Sequence, residues 1–353
     1  MTPAISAIVV APFGYPHVRQ LLRVLAKQTI RDRMEIVLVV PSRRDVDDDA
    51  AAGQALSPFA ARRIVEIGPM PALTAARAAG IAAASAPVVV LTEDHCFPVP
   101  GWAEALVRAH QGPWAAVGPV FEQPIQQEVF ARTSCLMQYV PWTDPARTGE
   151  VDDLPGHNSS YKRSVLLEYG DRLSVMLAAE SVLHWDLRRR GHRLWLEPEA
   201  RVHHVYMTSP AASFTETFYI ARGFSATRAR GWSVPRRIAF AAASPLVPLV
   251  RLSRLIPRAF ELGWGSGLPA ILTALVPQLA VSAAGELAGC ALGIGKAVAM
   301  GVELDTRRDR FVSRRARALF WGENGGTAAF EARLSPGDAP AGDPPGAAPA
   351  PRS

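Results

Sequence analysis

Residues 87–102 read Pro-Val-Val-Val-Leu-Thr-Glu93-Asp94-His95-Cys-Phe-Pro98-Val-Pro100-Gly101-Trp102, and the fold turns on this stretch. A continuous apolar run rich in β-branched residues suits a strand buried on both faces, as in a parallel sheet. It runs straight into two carboxylates and an imidazole. Ligands of open α/β sheets sit at the carboxyl ends of strands, so Glu93, Asp94 and His95 are predicted to face a site. Oxygen and imidazole donors together suit Mn²⁺ and tolerate Mg²⁺, which makes the triplet a candidate metal site. The plainer alternative for an acidic pair after a strand is a helix cap or a solvated turn.

Outward from this stretch, two more apolar runs, residues 5–10 and 35–40, read as buried strands. Residues 17–28 place Val18, Leu21, Leu22 and Leu25 on one helical stripe, and residues 72–84 form an Ala-rich helix. Strand, helix, strand, helix, strand predicts an α/β fold with a mostly parallel central sheet and flanking helices. Residues 112–204 are less regular, with strands at 115–121 and 193–196 and a helix at 179–190. This part is expected to cap the sheet and to complete a ligand site at its edge.

Beyond residue 236 the composition shifts to long apolar stretches broken by proline. The chain therefore divides into a catalytic domain over 1–235, a hydrophobic helical region over 236–304, a basic segment over 305–334 and a Pro/Ala-rich tail over 335–353, expected to be disordered. Residues 267–285 are uncharged but slightly short for a span. Residues 237–258 are interrupted by Arg251, Arg254, Pro245, Pro248 and Pro257, which suits an amphipathic helix lying in a membrane interface. Arginines flank the region on both sides, at 228, 230, 236 and 237 and again at 307, 308, 310, 314 and 315. The expectation is association with the cytoplasmic face of the cell membrane, as a peripheral, re-entrant or short hairpin element. A chain ending near Gly231 is then expected to be soluble and to keep donor binding.

Composition restricts the other classes. There are 38 Lys and Arg against 32 Asp and Glu, a net charge of +6, but only Lys27, Lys162 and Lys296 are lysines. An Arg bias alongside abundant Ala and Pro reads as a GC-rich genome more simply than as an RNA-binding surface, and no basic motif is interleaved with aromatics. Cys96, Cys135 and Cys290 are odd in number and widely spaced, so no disulfide framework is expected and a reducing cytosol fits. The N-terminal apolar run has no basic residues before it and reads as a first strand rather than a signal peptide.

Three further motifs follow in order: Leu154-Pro-Gly156-His157-Asn158-Ser-Ser-Tyr161-Lys162-Arg163, then Ala179-Glu180 opening a helix that ends in Arg190-Gly191-His192-Arg193-Leu194, then Ala200-Arg-Val202-His203-His204. Taken with 87–102, this order resembles the family 2 glycosyltransferases, over roughly residues 4–230. The resemblance implies the nucleotide-diphospho-sugar transferase type of α/β fold and an inverting, metal-dependent transfer of a sugar from a nucleotide-diphosphate donor to an acceptor hydroxyl. The acceptor would be lipid-linked or a cell-envelope polysaccharide precursor. It further implies a metal site at Glu93, Asp94, His95 and His204 holding Mn²⁺ or Mg²⁺, and Glu180 as the general base. Pro12, Arg77 and Asp45 are implied in donor binding, and Trp102, Gly156, His157 and Asn158 in acceptor or sugar binding. His95 stands where the family has an acid, and no acid ends the second strand, where the family holds the base of the nucleotide. The alternatives are a non-catalytic sugar-nucleotide-binding or scaffold protein of the same fold and, further off, a basic nucleic-acid-binding protein.

Overall fold

The computed structural model describes residues 2–70 and 72–321; residues 322–334 of the basic segment and the 335–353 tail lie outside the described residues. The strands are β1 (Ile5–Val10), β2 (Met34–Val40), β3 (Ala61–Glu66), β4 (Val88–Leu91), β5 (Cys96–Pro98), β6 (Ala116–Phe121), β7 (Gly149–Val151), β8 (Ser160–Lys162) and β9 (Leu194–His204). They form one sheet in the order β3-β2-β1-β4-β8-β6-β9-β5, with β7 on β9. The long ladders, β1 with β2 and β4, β2 with β3, and β6 with β9, are parallel. The antiparallel ladders span only two or three residues. The expected mostly parallel α/β sheet is therefore present.

Alternation along the strands divides the core into two layers. Ile5, Ala7 and Val9 of β1 face Val18, Leu21, Leu22 and Leu25 of the helix Tyr15–Leu25. Ile8, Val37 and Val39 face Ala76 and Ile81 of the helix Leu73–Ala83. That second helix lies very close to the sheet because Gly80 has no side chain: a Cβ there would be 2.6 Å from Ile8 Cγ2. Arg77, one turn earlier, is thereby set over the sheet's carboxyl end.

Residues 112–204 do more than cap the sheet. β6, β8 and β9 enter it and β9 runs for 11 residues, well past the short strand expected at 193–196. The ladder between β6 and β9 skips register after Pro119 and Glu197, around Pro198, which has no N–H to give.

The apolar C-terminal helices close over this body. The helix Leu268–Leu292 packs on the helix Pro210–Arg228 at near backbone contact, since a Cβ on Gly285 or Gly289 would lie 2.4 Å from a carbonyl oxygen of that partner. Leu255, Ala259, Leu262, Ile271, Leu275 and Leu279 share one buried cluster with the first sheet layer. Arg258 donates to the carbonyls of Val140 at 3.1 Å and Pro145 at 2.9 Å. Two helical stretches, Val234–Glu261 and Gly265–Leu292, are long and apolar enough to cross a bilayer. On the first, Val234, Ile238, Leu246, Leu249 and Val250 are exposed.

Candidate active site

Strand pairing explains how distant residues meet. β5 runs antiparallel to β9 with Cys96 opposite His204, so His95, one residue before β5, lies beside His204 with ring centroids 5.0 Å apart. Side chains alternate along β9, so His203 and His204 point to opposite faces. Glu93 follows β4, and its Oε2 lies 3.8 Å from His95 Nε2 and 3.7 Å from His204 Nε2.

Glu93, His95 and His204 each present one ligand atom, all within 4.8 Å of one another. His95 Nε2 and both ring nitrogens of His204 are buried without a hydrogen-bond partner. Unpartnered buried nitrogens beside a buried carboxylate are costly unless something occupies the space between them. The donor set therefore fits a divalent cation that accepts imidazole. Burial pushes the Glu93 carboxyl up to about 7, with His95 opposing the rise and Asp305 adding to it. Burial, then the neighbouring His95, holds His204 well below the usual imidazole range.

Asp94, expected among the ligands, points elsewhere. Its Oδ1 is 2.8 Å from His95 Nδ1 and its Oδ2 2.7 Å from His17 Nε2. Burial works to raise this carboxyl, but the hydrogen bonds from His17 and His95 outweigh it and hold Asp94 well below the carboxylate range. Asn158 has φ 63° and is nearly fully buried. It donates through Nδ2 to Glu93 Oε2 at 3.4 Å while its N–H reaches Leu91 O at 2.7 Å. The turn needs the left-handed conformation that Asn tolerates, and the same residue braces Glu93.

Beside this cluster, Arg77 Nη2 lies 2.9 Å from His157 Nδ1 and Nη1 lies 3.6 Å from Glu180 Oε1. His157 Nδ1 is also 3.0 Å from Glu93 Oε1. Burial, then Arg77, holds His157 well below its ordinary value, so the ring is neutral. Burial raises Glu180, opposed chiefly by Arg77. Glu180 opens the helix Glu180–Arg189. A Tyr161–His184–Asp153 chain braces that helix, with Tyr161 Oη 2.9 Å from His184 Nε2 and His184 Nδ1 2.6 Å from Asp153 Oδ1.

Arg77, Glu93, Gly156, His157 and Glu180 line one cavity of about 450 Å³. Its other wall comes from the helix Pro210–Arg228, with Glu216, Ile220 and Phe224, and from the segment beyond residue 296, with Val298, Val302, Asp305 and Arg308. Arg308 Nη1 pairs with Glu216 at 2.6 Å and Nη2 with Asp305 at 3.3 Å, and the guanidinium is buried. The sequence reading missed these three. Nothing in the run Asp305-Thr-Arg-Arg308 distinguishes one arginine from its neighbours, and only tertiary packing selects Arg308.

Three expected contacts lie away from the cavity. Trp102 is fully buried in the first core layer. Pro12 and Asp45 sit after β1 and β2, where the exposed Asp45 accepts from the Ser42 N–H at 3.2 Å. Gly14, at φ +75°, packs 3.0 Å from the Asp45 carbonyl at the Cβ position, so these two strand ends do meet.

A buried carboxylate and two imidazoles thus meet at the carboxyl end of the sheet, with a guanidinium and a second carboxylate beside them. Residues 6–170 match the model of the family "Glycosyl transferase family 2". That stretch, from β1 past β8 and a little under half of the chain, is similar to the family 2 glycosyltransferases, as its motifs suggested. No curated protein matches the chain. Among solved structures, a mannosyltransferase, PcManGT from Pyrobaculum calidifontis, in complex with GDP-Man and Mn²⁺, aligns at 17% identity and TM-score 0.49, over 81% of this chain and 88% of that one. GalNAc-T7 with UDP, GalNAc and Mn²⁺ aligns at 14% identity and TM-score 0.43, over 57% and 43%. S. aureus TarS 1-349 in complex with UDP aligns at 14% identity and TM-score 0.40, over 84% and 91%.

Proposed function

We propose that this protein is an inverting, metal-dependent glycosyltransferase that moves a sugar from a nucleotide-diphosphate donor to an acceptor hydroxyl at a membrane surface. The observation that carries the reading is the convergence of Arg77, Glu93, His157 and Glu180 in one cavity. Attack on the anomeric carbon requires a carboxylate to take the acceptor's proton, and Glu180 is the candidate because Glu93 faces the imidazole pair while Glu216 and Asp305 are tied to Arg308. Arg77 is suited to the diphosphate, because its guanidinium is planar and always charged. Glu93, His95 and His204 would hold Mn²⁺ or Mg²⁺, which would supply positive charge beside the leaving diphosphate. With one base and no separate nucleophile assigned, a single displacement with inversion is the economical scheme.

The apolar wall of Ile220, Phe224, Val298 and Val302 favours an acceptor with a hydrocarbon part, a lipid-linked precursor of a cell-envelope glycan. The exposed apolar residues of the stretch Val234–Glu261, interspersed with Arg236, Arg237 and Arg254, suit docking on the anionic cytoplasmic face of a membrane. In this reading residues 1–235 form the catalytic domain, and residues 236–304 both seal the cavity and contact lipid.

The test is a panel of nucleotide sugars with the full-length protein and Mn²⁺, read as nucleoside diphosphate release. Release from one donor, abolished by chelator, is expected. Binding of a donor with no release under any acceptor would support the non-catalytic alternative instead. Flotation with vesicles containing anionic lipid tests docking: protein that stays at the bottom of the gradient refutes it.

A further inference from the structure

We propose that Asp94 and His17 form a clamp that aims His95 at the cation without either residue touching it. The inference rests on the metal reading above and refines which residues belong to it. Glu93–Cys96 is a turn closed by the Cys96 N–H on the Glu93 carbonyl at 3.3 Å, and across it Glu93 and His95 face each other while Asp94 faces His17. Asp94 Oδ1 takes the hydrogen of His95 Nδ1 across 2.8 Å. That bond fixes the ring in the tautomer whose free lone pair is on Nε2, and Nε2 is the atom that faces Glu93 Oε2 and has no hydrogen-bond partner.

The second oxygen of Asp94 is occupied as well, since His17 Nε2 lies 2.7 Å from Oδ2. His17 is carried by the helix Tyr15–Leu25, whose Val18, Leu21 and Leu22 are locked in the core, so the clamp is anchored on a rigid element. Its ring meets Phe13 edge-on at 5.4 Å, and the Arg307 guanidinium covers that phenyl ring at 4.1 Å. Asp94 therefore has both oxygens engaged within the protein, and among the described residues the set that converges is Glu93, His95 and His204. A carboxylate that orients a ligating imidazole raises that ligand's basicity and fixes its ring, and losing one typically costs 10- to 100-fold in metal affinity.

The experiment is Mn²⁺ binding to the full-length protein, by calorimetry and by the electron paramagnetic resonance of the free ion. Wild type is expected to bind one Mn²⁺, and Glu93→Ala and His95→Ala to lose the site. Asp94→Ala should keep one site with affinity about 10- to 100-fold weaker. Asp94→Asn, which can still accept the Nδ1 hydrogen, should recover most of that loss. His17→Ala should weaken binding by roughly tenfold, the lower end of the same range, and His17→Gln should restore it. Asp94→Ala that loses the site outright would make Asp94 a ligand and overturn the clamp, as would wild-type affinity in that variant. If Asp94→Ala does not fold, unchanged affinity in His17→Ala overturns it. Wild type that binds no Mn²⁺ overturns the metal reading and the clamp with it, whereas normal binding in both Asp94→Ala and His17→Ala overturns the clamp alone.

Discussion

The carboxylate of Glu180 occupies the space a side chain on Gly156 would need: a Cβ there would lie 2.4 Å from Glu180 Cδ and 2.6 Å from Cγ. Gly156 is thus a glycine for room rather than for a left-handed backbone. Gly156→Ala is expected to push Glu180 aside and to strain the start of its helix, because Glu180 Cβ, 2.7 Å from the added Cβ, cannot swing away as the carboxylate can. A displacement of about 1 Å at a catalytic group costs on the order of 10² in rate. The variant should therefore melt below the wild type and, where folded, turn over about 100-fold more slowly. Wild-type turnover would mean that the position of Glu180 does not matter to the reaction.

Glu180→Gln keeps the size of the side chain but cannot take a proton. Donor binding should survive while turnover falls by roughly 10²- to 10⁴-fold. Burial raises this carboxyl above its ordinary 4.5, and a base works only when deprotonated. Activity on the acidic side should accordingly climb with pH along a limb lying above 4.5, and the residual activity of Glu180→Gln should lack that limb. A limb that persists unchanged in the variant would assign it to another group.

A stability prediction comes from a histidine outside the site. His110 is buried with Nε2 2.9 Å from Ser160 Oγ, and burial, then the charge of Lys162, pushes it down from 6.5 to about 4. Below pH 6.5 the unfolded chain gains a proton that the folded chain refuses, so stability falls as pH drops from 6.5 to about 4 and this contribution levels off below that. The shift corresponds to roughly 3 kcal/mol. Denaturant titrations at several pH values should show wild type losing that much more than His110→Gln across the window. Parallel pH dependences in the two proteins would remove His110 as the cause.

Much of the site was legible because family motifs sit at strand ends. The run from Val88 to His95 announces both a buried strand and the Glu93 and His95 that converge with His204, and β1, β2 and the helix Glu180–Arg189 lie within a residue or two of where periodicity places them. β3 was not visible because Arg62, Arg63 and Glu66 give it the polarity of an edge strand exposed to water. β5 and β8 have three residues each, too few for any period, and they exist because longer neighbours pair with them. The turn of Asp94 toward His17 was hidden for a different reason: His17 is 77 positions away, and only the fold brings its ring to that carboxylate. Asp305 and Arg308 share this character, since a segment read as a basic flank becomes a wall of the cavity through packing.

That packing reverses the expectation for a shortened chain. Leu255, Ile271, Leu275 and Leu279 belong to the same buried cluster as Val18 and Leu21, so ending the chain near Gly231 would strip cover from the core as well as remove an apolar surface. It would also delete Asp305 and Arg308 from the cavity and leave Glu216, nearly fully buried in the intact protein, without its guanidinium partner. A chain of residues 1–231 is therefore expected to aggregate or to bind no donor. The gentler version of the test is Leu275→Ala, at a fully buried position far from the exposed face of the stretch Val234–Glu261. Loss of a buried leucine side chain costs about 2 to 5 kcal/mol, so this variant should unfold at markedly lower denaturant concentration. Its flotation with vesicles should be unaltered under native conditions, because the exposed apolar residues of Val234–Glu261 are untouched. A 1–231 fragment that is monomeric and binds a nucleotide sugar with wild-type affinity would show that the C-terminal helices are an independent anchor, and that their share of the cavity wall is dispensable.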